Sequence, residues 1–212
     1  MIQIDNLTKT YHKKIIFQNV DLSLENGNIY FILGKNGSGK TTFIKCLLNL
    51  EQYHGKITYL PNSSKNIFAI YDDIPLYENL NGYDNIRLFA GSNFYDKEKI
   101  DSFGGLSPFL LSKKVATYSL GERKKLLIIA ALLKKPQYLI LDEIANGLDI
   151  DSLKWLTTQL NNHKKNCLIL VTGHYLEFYE KILDEIVVIN KKSIRKIEKG
   201  GQPLYELYEK LC

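Results

Sequence analysis

The strongest chemical signal in the chain is the run Gly34-Lys35-Asn36-Gly37-Ser38-Gly39-Lys40-Thr41-Thr42. It fits the phosphate-loop pattern G-x-x-x-x-G-K-[ST] in full. Glycines let the backbone curl so that successive N–H groups point at phosphate oxygens. Lys40 brings a positive charge to the β- and γ-phosphates, and Thr41 offers a hydroxyl to Mg²⁺. The helix expected to follow directs its positive end at the same anions. A mere glycine-rich turn with a solvated lysine is disfavoured by the setting, because the loop stands between an apolar strand and a helix.

A second group is Tyr138-Leu139-Ile140-Leu141-Asp142-Glu143. Here an apolar strand ends in two acids, at the carboxyl edge of a sheet where ligands of such folds gather. Asp142 is a candidate Mg²⁺ ligand and Glu143 a candidate to orient or deprotonate a water. Alone the signal is weak, since apolar strands followed by acids are common. Downstream of a complete phosphate loop it gains weight. A third group, Ser119-Leu120-Gly121-Glu122, opens a helix. Ser119 caps that helix and Glu122, three residues on, reaches back as in a capping box. A capped helix start that contains glycine is also an anion site.

Strands and helices must position these groups. Val20, Leu22 and Leu24 alternate with Asp21 and Ser23, the pattern of a half-buried strand. Asn26-Gly27 reads as a hairpin turn, and Ile29 to Leu33 follow as a fully buried strand. Further strands are expected at Ile57 to Leu60, Tyr138 to Leu141, Cys167 to Thr172 and Ile186 to Ile189. Helices are expected over Lys40 to Leu50, Asn81 to Ala90, Ser119 to Leu133 and Ser152 to Leu160. A hairpin-like segment (Val187 to Lys196) and a short helix after Pro203 close the chain. This alternation argues for an α/β core with parallel strands.

The order of motifs resembles that of the ABC ATPases, over essentially the whole chain. Ser119 to Glu122 stands where that family has its signature, usually L-S-G-G-Q. The resemblance implies an α/β phosphate-loop core with an N-terminal antiparallel β subdomain and an inserted helical subdomain. It puts the core and β subdomain at about residues 1–75 and 136–212, and the helical subdomain with the signature at about 76–135. It implies head-to-tail dimers, of two copies or of one copy with a relative, in which the signature acts on the ATP of the opposite subunit. Tyr11 matches the aromatic residue that stacks on adenine, and His174 the switch histidine that contacts the γ-phosphate. Asn146-Gly147-Leu148-Asp149 resembles the D-loop, although Asp149 also suits a plain helix cap.

The sequence departs from the family pattern at several positions. Leu120 replaces the first glycine of the signature, and Glu122 replaces its glutamine. Asp72 or Asp73 occupies the place of the glutamine expected after the strand near Phe68 to Tyr71, and Asp72 becomes a candidate Mg²⁺ ligand. Ile144 stands where proline often follows the acid pair. The basic run Arg123 to Lys125 reads as a solvated helix face.

Composition bounds these readings. The chain has 212 residues, 45% of them hydrophobic, which suits one sizeable core. No apolar run approaches the roughly 20 residues of a membrane span, and the N-terminus has no signal-peptide pattern. A cytoplasmic protein is therefore expected, and the resemblance implies that it sits peripherally at the membrane through an integral membrane permease. The scattered Cys46, Cys167 and Cys212 predict no disulfide framework. A net charge of +5 decides no partner, and no nucleic acid is expected. The resemblance implies ATP and Mg²⁺ as ligands, and hydrolysis that powers transport. The stretch Leu80 to Ala90 resembles L-T-G-x-E-N-L-x-x-F-A of cassettes that export drugs, peptides or polysaccharides. A lone cassette serving iron–sulfur assembly is the main rival. Two-cassette and coiled-coil relatives do not fit, and the signature argues against a phosphate-loop kinase of small molecules.

Overall fold

A computed structural model of the protein describes residues 1–60, 66–71 and 76–212. Two sheets organise it. The smaller pairs β1 (Ile2–Tyr11) with β2 (Lys14–Leu24) and β4 (His54–Tyr59), all antiparallel, in the order β2-β1-β4. Ile2, Ile4 and Leu7 of β1 and Phe17, Val20, Leu22 and Leu24 of β2 fill its inner face. Irregular register around Asp5 and Asn6 breaks the alternation of β1 and hides the strand from a period-2 reading.

The larger sheet runs β5-β6-β7-β3-β8-β9. Its first five strands are parallel: β5 (Ile67–Ile70), β6 (Tyr138–Leu141), β7 (Leu168–Val171), β3 (Ile29–Leu33) and β8 (Glu185–Asn190). The edge strand β9 (Ser193–Glu198) returns antiparallel from β8 as a hairpin. Every residue of β3, β6 and β7 is buried, as parallel strands covered on both faces require. The strand expected after Asn26-Gly27 is therefore present, but the hairpin is not. Both edges of β3 are taken by β7 and β8, and the turn instead carries the chain from one sheet to the other.

Helix α1 (Lys40–Leu47) follows β3 and stops one turn short of Leu50, where Asn49 takes a positive φ of 58°. Between β5 and β6 lie α2 (Gly82–Ala90), α3 (Lys97–Ser102), α4 (Pro108–Leu111) and α5 (Leu120–Leu133). Leu126 through Leu133 of α5 are all buried, which marks a helix enclosed on every side. The chain closes with α6 (Ile150–His163), α7 (Leu176–Glu180) and α8 (Leu204–Leu211). The fold is an α/β phosphate-loop core with a parallel sheet, an N-terminal antiparallel β layer and an inserted helical region.

Strand order decides which loops become neighbours. β6, β7 and β3 are consecutive in the sheet, with Leu141 beside Val171 and Val171 beside Phe31. The residues that come after these three strands must therefore meet at one edge of the sheet.

Candidate active site

The chain leaves β3 at Gly34. A Cβ there would lie 2.5 Å from Ser38 Oγ and 2.8 Å from the Ile189 carbonyl oxygen, so only glycine lets the loop fold back. Gly39 has φ +109° and precedes α1, which starts with no side-chain cap and no acid in its first turn. The leading amides of that helix are thus left for an anion. Lys40 Nζ lies back along the loop and donates to the carbonyls of Gly34 (2.7 Å) and Lys35 (3.2 Å). Burial lowers the Lys40 pKa, while the nearby charges of Glu143 and Asp142 oppose that shift. Ser38 Oγ is buried without a hydrogen-bond partner, a hydroxyl in the loop that suits a ligand oxygen.

Asp142 and Glu143 follow β6 directly. The Asp142 amide donates to the Ile70 carbonyl (2.8 Å), and its carboxylate accepts from the Thr172 hydroxyl at the end of β7. Thr172 Oγ1 in turn accepts from the Glu143 amide (3.0 Å). One threonine therefore fixes both acids. Glu143 sits at φ +54°, an uncommon backbone state that turns its side chain away from the strand direction. Its Oε2 accepts from Asn146 Nδ2 at 2.8 Å, and its Oε1 lies 3.3 Å from His174 Nε2. Gly34, Gly173 and His174 line one cavity of about 440 Å³. The structure thus gathers Lys40, Asp142, Glu143 and His174 at the ends of β3, β6 and β7.

Ser119 and Glu122 form the expected capping box. Ser119 Oγ accepts from the Glu122 amide (3.3 Å), and Glu122 Oε2 accepts from the Ser119 amide (2.7 Å). The carboxylate that replaces glutamine is thus turned back onto its own helix. Leu120 is 53% exposed and lies against Gly147, and Gly121 faces Leu148. The start of α5 therefore meets the loop Asn146–Asp149 of the same chain. Asp149 caps α6 by accepting from the Ser152 amide (2.7 Å), and contacts with Ser152 hold its carboxyl below the usual range. Tyr11 ends β1, 37% exposed. Asp72 and Asp73 lie outside the described residues.

Contrary to expectation, the run Arg123 to Lys125 is not a solvated face. Lys124 is 4% exposed and donates to the carbonyls of Glu143 (3.2 Å) and Asn146 (2.8 Å). Arg123 pairs with Glu78 at 2.7 Å. A lysine in a helix looks solvated until its tertiary partner is known, and this one ties α5 to the loop that bears the acids. Thr172 escaped the sequence reading as a site residue, because a polar residue after an apolar strand has no distinctive spacing, and Asn146 figures there only within the D-loop-like run, not as a partner of Glu143.

A parallel sheet with a phosphate loop after its central strand, and an acid pair two strands away, defines a phosphate-loop nucleotide-binding protein. The family model described as ABC transporter matches residues 17–146, and the chain belongs to that family. It is 33% identical over 207 residues to the bacitracin transport ATP-binding protein BcrA of Enterococcus faecalis, covering 90% of this chain and 67% of that protein. It is 30% identical over 223 residues to the lantibiotic transport ATP-binding protein SrtF of Streptococcus pyogenes, covering 98% and 96%. Among solved structures, an ATP-binding subunit of an ABC transporter superimposes with a TM-score of 0.85 at 25% identity, covering 100% of this chain and 99% of that one. CbiO1 of Clostridium perfringens shares the fold, with a TM-score of 0.78 at 19% identity over 99% of this chain and 91% of that one. Among the described residues no helix is long and apolar enough to cross a membrane.

Proposed function

We propose that this chain binds and hydrolyses ATP with Mg²⁺ and so powers a separate membrane permease. The observation that carries the reading is the convergence of Lys40, Asp142, Glu143 and His174 at three neighbouring strand ends. Adenine stacks on Tyr11, and Gly34 to Thr42 cradle the triphosphate with Lys40 at its β- and γ-phosphates. Thr41 and Asp142 would hold Mg²⁺, whose charge offsets that of the phosphates during cleavage. The donor set fits: one fixed carboxylate and one hydroxyl leave places for phosphate oxygens and water, the usual arrangement for this ion. Asp72 is part of this proposed set.

Glu143, held by Asn146 and near His174, orients and deprotonates the attacking water. His174 steadies the γ-phosphate. Two cassettes close head to tail, so that Ser119, Leu120 and Gly121 of each, at the helix start that Glu122 caps, face the nucleotide of the other, and Asp149 lies in the loop that crosses between them. Closure is driven by ligand contacts made only in the closed state, and loss of the γ-phosphate reopens the pair. The names of BcrA and SrtF, bacitracin and lantibiotic transport, support an antibiotic of that kind as cargo, and the stretch Leu80 to Ala90 supports export as the direction.

The test is Glu143→Gln, measured for ATP binding, dimerisation and turnover. The variant is expected to bind ATP and dimerise while hydrolysis falls at least about 100-fold, the lower range for loss of a general base. Undiminished hydrolysis would remove Glu143 from its role.

A further inference from the structure

The surroundings of Tyr11 are more organised than an exposed aromatic at the end of a strand requires. Lys9 lies two residues earlier on β1, where the register with β2 shifts on either side of it. Its Nζ stands 4.3 Å from the centroid of the Tyr11 ring, although Lys9 is only 4% exposed. A buried ammonium is costly unless paired. Here it donates to Glu51 Oε2 (2.9 Å) and to the Gln52 carbonyl (2.7 Å), both in the segment that leaves α1. Burial raises the pKa of the Tyr11 phenol, and the adjacent Glu51 carboxylate adds to that shift, against the Thr42 hydroxyl. The phenol therefore stands between Glu51 and a residue of the phosphate loop. Three elements, β1, the start of α1 and the segment after its end, thus converge on one ring.

We propose that Lys9 and Glu51 are positioning residues that hold the Tyr11 ring at a fixed angle to the phosphate loop, so that a purine base stacks on the face opposite Lys9. The inference rests on the reading of Tyr11 as the base platform. Lys9 covers one face of the ring, and Glu51 locks both the ammonium and the phenol. A platform ordered in advance spares the cost of ordering it when the base arrives. The effect is confined to the base: the triphosphate is bound by the loop, which Lys9 and Glu51 do not form.

The experiment uses the full chain and measures dissociation constants for ATP and for inorganic tripolyphosphate, by calorimetry, in Lys9→Met, Glu51→Gln and Tyr11→Ala. Tyr11→Ala should weaken ATP about 5- to 150-fold, the range for loss of base–aromatic stacking, and leave tripolyphosphate unchanged. Lys9→Met and Glu51→Gln should weaken ATP about 3- to 10-fold, the scale of one side chain that must be ordered on binding, again with tripolyphosphate unchanged. If either variant weakens both ligands in parallel, or leaves ATP binding untouched, the positioning role is overturned while Tyr11 keeps its own. If Tyr11→Ala leaves the ratio of the two constants unmoved, the platform reading itself fails. Should Lys9→Met not fold, Glu51→Gln carries the test alone, since the Glu51 side chain lies at the rim with 25% of its surface exposed.

Discussion

Lys40 reaches back over the loop it terminates, and its ammonium is held by two carbonyls of the same loop. That arrangement keeps a positive charge where phosphate is expected, at the cost of desolvation that lowers its pKa. Lys40→Met removes both the charge and the donors while keeping the bulk. Affinity for ATP should fall roughly 10- to 100-fold, the scale of a lost hydrogen bond to a charged group, in an equilibrium binding titration. At this scale the sequence was most informative where chemistry is local. Gly34 to Thr42 are contiguous, so their spacing alone announced the loop. Thr172, Lys124 and Lys9 act through partners 19 to 42 positions away, and no pattern in the one-dimensional string points to those partners.

At the scale of elements, α5 links two parts of the proposed machinery. Its first turn is the capping box of Ser119 and Glu122, and one turn later Lys124 holds the loop of Glu143 and Asn146. Lys124→Met would take the ammonium from both carbonyls; the Glu143 carbonyl keeps the Asn146 amide (3.1 Å), whereas the Asn146 carbonyl loses the lysine that caps it. Stability should drop by about 1–3 kcal/mol, read from urea denaturation, with a fall in turnover because the loop that bears Glu143 loses one of its tertiary anchors. A variant with unchanged midpoint and turnover would show that the loop is held by other means. The capping box was legible in the sequence because it is a local motif of four residues. The end of α1 and the sheet change after Asn26-Gly27 were not legible. Turn chemistry dictates that the chain reverses, but which strand it then pairs with depends on the whole sheet.

For the whole molecule, the order β6-β7-β3 turns three separate sequence motifs into one site. Alternating apolar segments implied a parallel sheet, but strand order is set by tertiary packing and came only with the structure. The same packing encloses two thiols. Burial pushes Cys46 up to about 11 and Cys167 up to about 12. An unfolded thiol titrates near about 8.5, so between that value and 11 to 12 the folded chain keeps protons that the unfolded chain releases. Their contribution to stability is complete below about pH 8 and is lost as the pH rises through that window. Thermal melts taken from pH 8 upward should show a falling midpoint, with a smaller fall in a variant carrying Cys46→Ala and Cys167→Ala.

The central claim is that ATP hydrolysis in this chain drives a separate permease. The most direct measurement is to tag the protein in its native cell, solubilise the membranes in mild detergent and identify what copurifies. The account predicts a polytopic membrane protein in stoichiometric amount. A purely soluble set of partners would contradict it, and would favour a cassette that works outside transport, such as in iron–sulfur assembly.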